Sequence, residues 1–275
     1  MLEKVGVGLK TCFIGREIHY FESVTSTNDL AKELASRGVR EGAMVIAEEQ
    51  SGGRGRQGRR WISPEGGIWF SVVLQPKIRP REAFKLTFLT AVTVAKAIRE
   101  MFRLNALIKW PNDILINDKK VCGILTEMNT RNNLIDFVVV GVGINANVNL
   151  TSFPEQLRSA VTSLREEVKM EVEREEFLQV LLGLLEQYYN MFVGGSFSSI
   201  LEEWKALNCV LGANVEVVSL DETVKGRAVN VDRDGALIVR LGDETIRRFV
   251  VGDVSLRKFC YLSVTLPKGG RLEAI

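Results

Sequence analysis

Ala43-Met44-Val45-Ile46-Ala47, then Ser51-Gly52-Gly53-Arg54-Gly55-Arg56-Gln57-Gly58-Arg59-Arg60-Trp61, then Ile68-Trp69-Phe70-Ser71-Val72-Val73-Leu74: two apolar runs of strand length bracket a segment dense in glycine and arginine. The bracketed segment carries four arginines, four glycines and a tryptophan, a composition that fits neither helix nor strand. Glycine lets backbone N–H groups turn toward a ligand, arginine supplies charge-assisted donors to carboxylate or phosphate, and tryptophan offers a flat face to a base. The segment therefore reads as a loop that closes over a small anion, with a nucleotide the natural candidate. A solvated Arg/Gly tail that brushes nucleic acid is the alternative, and the apolar strands on either side weigh against it.

Gly53-Arg54-Gly55-Arg56-Gln57-Gly58 formally matches the G-x-G-x-x-G dinucleotide fingerprint. That fingerprint opens a helix and is followed about twenty residues later by an acidic ribose ligand. Here Trp61, Pro64, Gly66 and Gly67 follow instead, and Ser71 to Arg81 contains no acid. A G-x-x-x-x-G-K-[ST] phosphate loop is absent from the sequence.

The chain has 275 residues, 46% of them hydrophobic, enough for one substantial core and a small second one. The formal net charge is +2, so an anion preference has to come from local arginine density rather than from the whole molecule. The apolar stretches are of strand length and the first ten residues lack a signal-like core, so a cytoplasmic protein without membrane or DNA attachment is expected. Cys12, Cys122, Cys209 and Cys260 are far apart, which disfavours both zinc and a disulfide framework. The single histidine, His19, lies in the apolar alternation Ile18-His19-Tyr20-Phe21 and reads as a strand residue rather than a catalyst.

Outward from the loop, Thr25 to Gly38 reads as a helix capped by Ser26 and stopped by Gly38. Phe84, Phe88, Ala91, Ala95, Ile98 and Phe102 give a longer helix one apolar stripe. Ile114-Leu115-Ile116 and Val121 to Leu125 flank Asn117-Asp118 as a hairpin, and Ile135 to Ile144 adds a buried strand. Two more helical patterns, Phe177 to Phe192 and Phe197 to Leu207, are separated by Gly194-Gly195. From Gly212 the chain breaks into short strand-like pieces: Val215 to Val218, Val224 to Val231, Ala236 to Leu241 and Thr245 to Val251. The expected architecture is α+β: a mixed sheet backed by helices over residues 1–208, then a small barrel-like β domain over 209–275.

A second dense cluster is Lys109-Trp110-Pro111-Asn112-Asp113, which puts a cation, an aromatic, an amide and a carboxylate side by side. Lys109 and Asp113 read either as site residues or as rim charges at a strand end. Lys120 starts the next strand, where its ammonium either reaches a neighbouring pocket or stays in solvent.

These segments, with Gly123-Ile124-Leu125 and Gly141-Val142-Gly143-Ile144-Asn145, occur in the order and spacing of biotin protein ligases, which the chain resembles from about Ile14 to Arg257. Ser26-Thr27-Asn28 at the first helix and Gly252-Asp253-Val254-Ser255 near the end also fit. The resemblance implies a class II synthetase-like (biotin/lipoate ligase) catalytic domain with a C-terminal SH3-like barrel. It implies two steps: the biotin carboxylate attacks the α-phosphate of ATP to give biotinyl-5'-AMP and pyrophosphate, and a lysine of a biotin carboxyl carrier protein then attacks the mixed anhydride. No enzyme nucleophile is needed, in keeping with the lack of a convincing catalytic histidine, cysteine or serine.

By the same resemblance Lys120 touches both the biotin carboxylate and the α-phosphate, Arg56 belongs to the loop that retains the adenylate, and Lys109 joins the catalytic group. Asp113 either accepts the incoming lysine's proton or ligates Mg2+. Trp61 stacks on adenine and Asn145 reads the base or ribose. Ser26, Thr27, Asn28 and Gln50 hold the ureido ring, while Gly123, Leu125 and Gly141 line the biotin slot. Arg54 and Gly55 offer charge and backbone N–H groups to anionic oxygens. Two unit anions ~4 Å apart repel by ~4 kcal/mol at an effective dielectric near 20, roughly a thousandfold in rate, so Arg54, Arg56, Lys120 and Mg2+ are the expected screening groups.

Some relatives begin with a helix-turn-helix segment and repress transcription; about thirteen residues precede the catalytic part here, so no repressor function is expected. A homodimer is implied by the resemblance. A lipoate ligase or lipoyl transferase is the nearest rival, disfavoured by the arginine loop, the Lys109–Asp113 cluster and the C-terminal β domain. An RNA-binding protein would require broad basicity that this chain lacks.

Overall fold

The computed structural model describes residues 4–218, 222–250 and 252–256. Its first part runs β1 (Ile18–Val24), α1 (Thr27–Ser36), β2 (Met44–Gln50), β3 (Ile68–Leu74), α2 (Phe84–Phe102), β4 (Leu107–Lys109), β5 (Asp113–Ile116), β6 (Lys119–Arg131) and β7 (Leu134–Ile144). Four helices follow: the short α3 (Glu155–Arg158) and α4 (Leu164–Val168), then α5 (Arg174–Val193) and α6 (Phe197–Leu207). The chain then forms β8 (Asn214–Val218), β9 (Thr223–Val231), β10 (Leu237–Arg240), β11 (Ile246–Phe249) and β12 (Asp253–Leu256).

The central sheet has the order β1-β2-β3-β7-β6-β5-β4. β1 and β2 are parallel and the other neighbours antiparallel, so the sheet is mixed. Alternation along the strands sorts residues to two faces. Met44 and Ile46 of β2, Phe70, Val72 and Leu74 of β3, Cys122 and Ile124 of β6, and Val138, Val140 and Val142 of β7 join the main core with α2, α5 and α6. Phe88 of α2 stacks on Trp204 of α6 at 4.5 Å between ring centroids. The opposite face carries Val45, Val73, Phe137 and Val139 beneath α1. Toward the other end of β6 and β7, that same face meets glycines.

Local chemistry sets the element ends. The Ser26 hydroxyl accepts from the Asp29 N–H (3.4 Å) to cap α1, and Gly38 takes φ +86° just beyond it. Asn117 (φ 51°) and Asp118 (φ 63°) both adopt the left-handed region, as a two-residue hairpin turn requires. Before β1, the buried Glu186 carboxylate accepts from the N–H groups of Cys12, Phe13 and Ile14 at 2.6, 2.8 and 2.9 Å. Burial would raise its pKa, but the three amide donors outweigh that and hold it below the ordinary carboxylate value.

The second sheet is antiparallel, in the order β11-β10-β9-β8-β12. Among the described residues the five strands pair as one antiparallel sheet without a β11–β12 pairing, consistent with the expected small SH3-like β domain. β12 is a fifth strand that the sequence reading does not contain. Val251, the end of one expected strand, and Cys260 with the expected tail lie outside the described residues. This sheet is joined to the first by Trp110 Nε1–H donating to the Gly235 carbonyl (3.0 Å) and by the Cys209 N–H donating to the Ile108 carbonyl (3.0 Å). Cys12, Cys122 and Cys209 are free thiols, and among the described residues no helix is long and apolar enough to cross a membrane.

Candidate active site

In the β6–β7 register Gly123 lies opposite Gly143, and Leu125 opposite Gly141. The missing side chains leave a trough that other residues enter. A Cβ on Gly143 would stand 2.4 Å from Trp61 Nε1, one on Gly141 2.0 Å from Asn28 Oδ1, and one on Gly123 3.1 Å from the Trp61 ring. Above this floor is a cavity of about 300 Å3. It gathers Ser26, Thr27, Asn28, Gln50, Arg54, Gly55, Arg56, Trp61, Asp113, Lys120, Leu125 and Asn145, all expected from sequence to share one site.

One end is a closed polar network. Gln50 Oε1 accepts from the Thr27 N–H (2.8 Å) and hydroxyl (3.2 Å), while Gln50 Nε2 donates to Ser63 Oγ (2.8 Å). Ser71 donates to Thr27 Oγ1 (2.8 Å) or Asn28 Oδ1 (2.6 Å), and Asn28 Nδ2 donates to Glu127 Oε2 (2.7 Å). Ser63, Ser71 and Glu127 back this network from behind the cavity lining and are not among the site residues named from sequence. A serine within the otherwise apolar run Ile68–Leu74, and a glutamate in phase with Gly123 and Leu125, are the signals that point to two of them.

The arginine segment is more ordered than its composition suggests. The Trp61 N–H donates to the Gly53 carbonyl (2.8 Å), Arg54 bridges Arg60, and the Gly55 N–H donates to the Arg59 carbonyl (2.7 Å). Arg56–Gly58 is a 3-10 turn with Gln57 at φ 56°. The segment is thus a small hairpin flap. The Gly55 N–H closes this hairpin, and the Arg54 guanidinium, which also lines the cavity, pairs with Asp29 (2.6 Å) and Glu127 (3.0 Å) because α1 and β6 present carboxylates to it. At the tip, Arg56 Nη1 reaches Asn112 Oδ1 (3.3 Å) and the Gly252 carbonyl of the second sheet (3.4 Å).

Lys120 Nζ lies 2.7 Å from Asp113 Oδ1 and 4.9 Å from the centre of the Trp61 ring. Among the described residues Asp113 is the one carboxylate lining the cavity, against Arg54, Arg56, Arg59, Arg60 and Lys120. Lys109 does not line it: the residue sits on the outer strand β4, in register with Asp113 but one strand further out. Phe153, Leu157 and Val161 form an apolar wall from a segment without clear periodicity. Among the described residues no three His, Cys, Asp or Glu side chains cluster as a metal site.

Among the described residues two buried polar atoms of cavity-lining side chains lack partners, Trp61 Nε1 and Asn145 Oδ1. The Asn145 amide is oriented by its Nδ2, which donates to the Thr162 carbonyl at 3.0 Å. An unpaired donor and an unpaired acceptor, each costing about 1–3 kcal/mol when buried, line one pocket.

Residues 20–145 match the biotin/lipoate A/B protein ligase family, and residues 210–257 match the biotin protein ligase C-terminal domain. A bifunctional ligase/repressor BirA of Bacillus subtilis is 36% identical over 92% of this chain and 78% of its own length. A biotin–[acetyl-CoA-carboxylase] ligase of Paracoccus denitrificans is 33% identical over 78% of this chain and 90% of its own. The structure of the Aquifex aeolicus biotin protein ligase in complex with biotin and ATP superposes with a TM-score of 0.75 at 28% identity, covering 88% of this chain and 99% of that one.

Proposed function

The chain belongs to the biotin protein ligase family, and from that premise we propose that the glycine-floored cavity condenses biotin with ATP and holds biotinyl-5'-AMP for transfer to a lysine of a biotin carboxyl carrier protein. The Trp61 indole and the unpaired Asn145 acceptor, set beside Lys120 in one arginine-lined cavity, carry this reading. The adenine amino group supplies a donor of the kind that Asn145 Oδ1 lacks. The indole face gives the base a surface to stack on.

In the first step a biotin carboxylate oxygen bonds to the α-phosphorus and the bond to pyrophosphate breaks. Lys120 is paired with Asp113, and two substrate anions compete for its ammonium, which lowers their mutual repulsion. Arg56 and its flap neighbours Arg59 and Arg60 add charge from above. As Lys120 moves to the substrates it frees the Asp113 carboxylate. In the second step an amine whose ordinary pKa is near 10.4 attacks the acyl carbon, AMP leaves, and Asp113 accepts the proton. Thr27, Asn28 and Gln50 orient the ureido end, and the flap keeps water from the anhydride. Magnesium fits the donor set, since such an ion takes one or two carboxylates beside phosphate oxygens; Asp113 would hold it, and when bound it would neutralise phosphate charge.

A homodimer, a cytoplasmic location and the absence of DNA binding complete the proposal; the +2 net charge supports the last. The decisive experiment is biotin-dependent exchange of labelled pyrophosphate into ATP, followed by labelled-biotin transfer to a carrier domain. Exchange driven by lipoate and not by biotin would reassign the substrate.

A further inference from the structure

Glu127 lies outside the cavity yet is the hub of the contacts at the root of the flap. On β6 it follows Leu125 by two residues and so shares the face of the floor residues Gly123 and Leu125. Its carboxylate accepts from Asn28 Nδ2 (2.7 Å), Lys32 Nζ (3.0 Å) and Arg54 Nη2 (3.0 Å). Asp29 completes the group, 2.6 Å from Arg54 and 3.0 Å from Lys32. Two carboxylates and two cations therefore alternate across three elements: α1 supplies Asp29 and Lys32, β6 supplies Glu127, and the flap supplies Arg54. Glu127 is the least exposed of the four side chains, at 25%.

The geometry gives Arg54 a task different from that of its neighbours. Arg56 and Arg59 lie nearer the tip of the flap and Arg60 pairs across the hairpin from Arg54, while the Arg54 guanidinium turns back to Asp29 and Glu127 on the body of the protein. Resting on the activity proposed above, we propose that Glu127 is a positioning residue: its charge fixes Arg54, and through it the closed flap, and thereby sets how long the adenylate is retained. Without that charge Lys32 and Arg54 share Asp29 alone, and their repulsion acts at the hinge of the flap. Asn28 keeps an acceptor if the replacement is an amide, so the polar end of the cavity is preserved.

The test is Glu127→Gln in the full chain, with pyrophosphate exchange and adenylate release measured separately. Individual exposed ion pairs are weak, but a network at a hinge sums several of them, so release of labelled biotinyl-5'-AMP after dilution is expected to quicken about tenfold while exchange stays within about twofold. Glu127→Asp, which keeps the charge, should recover most of the retention. Asp29→Asn should give a smaller increase in the same direction. In the unsubstituted protein, release should quicken as salt is raised, and this dependence should be reduced in Glu127→Gln. If Glu127→Gln does not fold, Asp29→Asn and the salt series decide. Release unchanged in the variants with normal exchange, or insensitive to salt in the parent, overturns the role of Glu127 alone. Loss of exchange in proportion to thermal destabilisation, with release unaltered, makes the residue purely structural and also overturns it. A parent chain without biotin-dependent exchange overturns the proposed function, and this inference with it.

Discussion

The two faces of the central sheet are built from the same strands by opposite rules. On β7, Val138, Val140, Val142 and Ile144 enter the main core with α2, α5 and α6, whereas Gly141 and Gly143, with Asn145 just past the strand, line the cavity. The core face gains by filling space: apolar burial contributes roughly 25 cal/mol per Å2, and interlocking side chains leave few voids. The cavity face does the reverse. It omits side chains at three floor positions, admits an indole and an amide into the gap, and leaves a donor and an acceptor unpaired. Rigidity on one side of a single layer supports vacancy on the other.

Substitutions can separate the two rules. The largest effect is expected at Lys120: Lys120→Ala should reduce pyrophosphate exchange by roughly a thousandfold or more while the thermal unfolding midpoint moves little. Retained exchange would show that the flap arginines alone screen the two anions. The converse is expected of Phe88→Ala on the core face, which removes the ring stacked on Trp204 and should cost about 3–5 kcal/mol in denaturant unfolding without altering the KM for ATP. A shifted KM would mean that the two faces are coupled.

Gly143→Ala tests the floor itself. The added methyl meets Trp61 Nε1 at 2.4 Å, and displacement of the indole should weaken ATP binding by about 1–3 kcal/mol, read by titration calorimetry, with a smaller change for biotin. Equal losses for both ligands would dissolve the division between a nucleotide end and a vitamin end.

The smallest effect belongs to the helices behind the core. Lys96 donates to Tyr188 (2.7 Å) and Glu203 (3.0 Å). The hydrogen bond to Tyr188 is the largest influence, and with Glu203 it outweighs burial and pushes the Lys96 ammonium up to about 12. A pKa raised on folding gives stability that is present in full below the unfolded value near 10.5 and lost as pH climbs through the folded one. Stability should therefore decline between these values in urea melts, and Lys96→Met should flatten that decline without touching catalysis at neutral pH.

Much of this was legible because periodic burial writes itself into sequence. The stripe from Phe84 to Phe102, the cap at Ser26, the Asn117-Asp118 turn and the apolar strands all emerge as elements where their patterns place them. The family resemblance brought together the residues of the cavity because its motifs sit on strand ends and loops that the sheet makes adjacent. Less legible were features decided by tertiary contact. Composition alone says that an Arg/Gly run is irregular, yet cross-bonds from Gly53 to Trp61 fold it into a hairpin. Charge alone does not show that Arg54 also meets Asp29 and Glu127, the second from 73 residues away. Lys109 reads as one of the catalytic group, but the edge strand holds it outside the cavity, in register with Asp113. The wall formed by Phe153, Leu157 and Val161 carries neither period and appears only once the segment folds back beside Lys120.

The floor formed by Gly123, Gly141 and Gly143 bears on redesign. A surface that already consists of backbone and hydrogen atoms can be raised by substitution but never lowered. Attempts to make this protein accept bulkier vitamin analogues must therefore carve the side walls, at Leu125, Phe153 or Leu157. Raising the floor, in contrast, acts through the side chains that cover it: a methyl at Gly141 meets Asn28 and one at Gly143 meets Trp61.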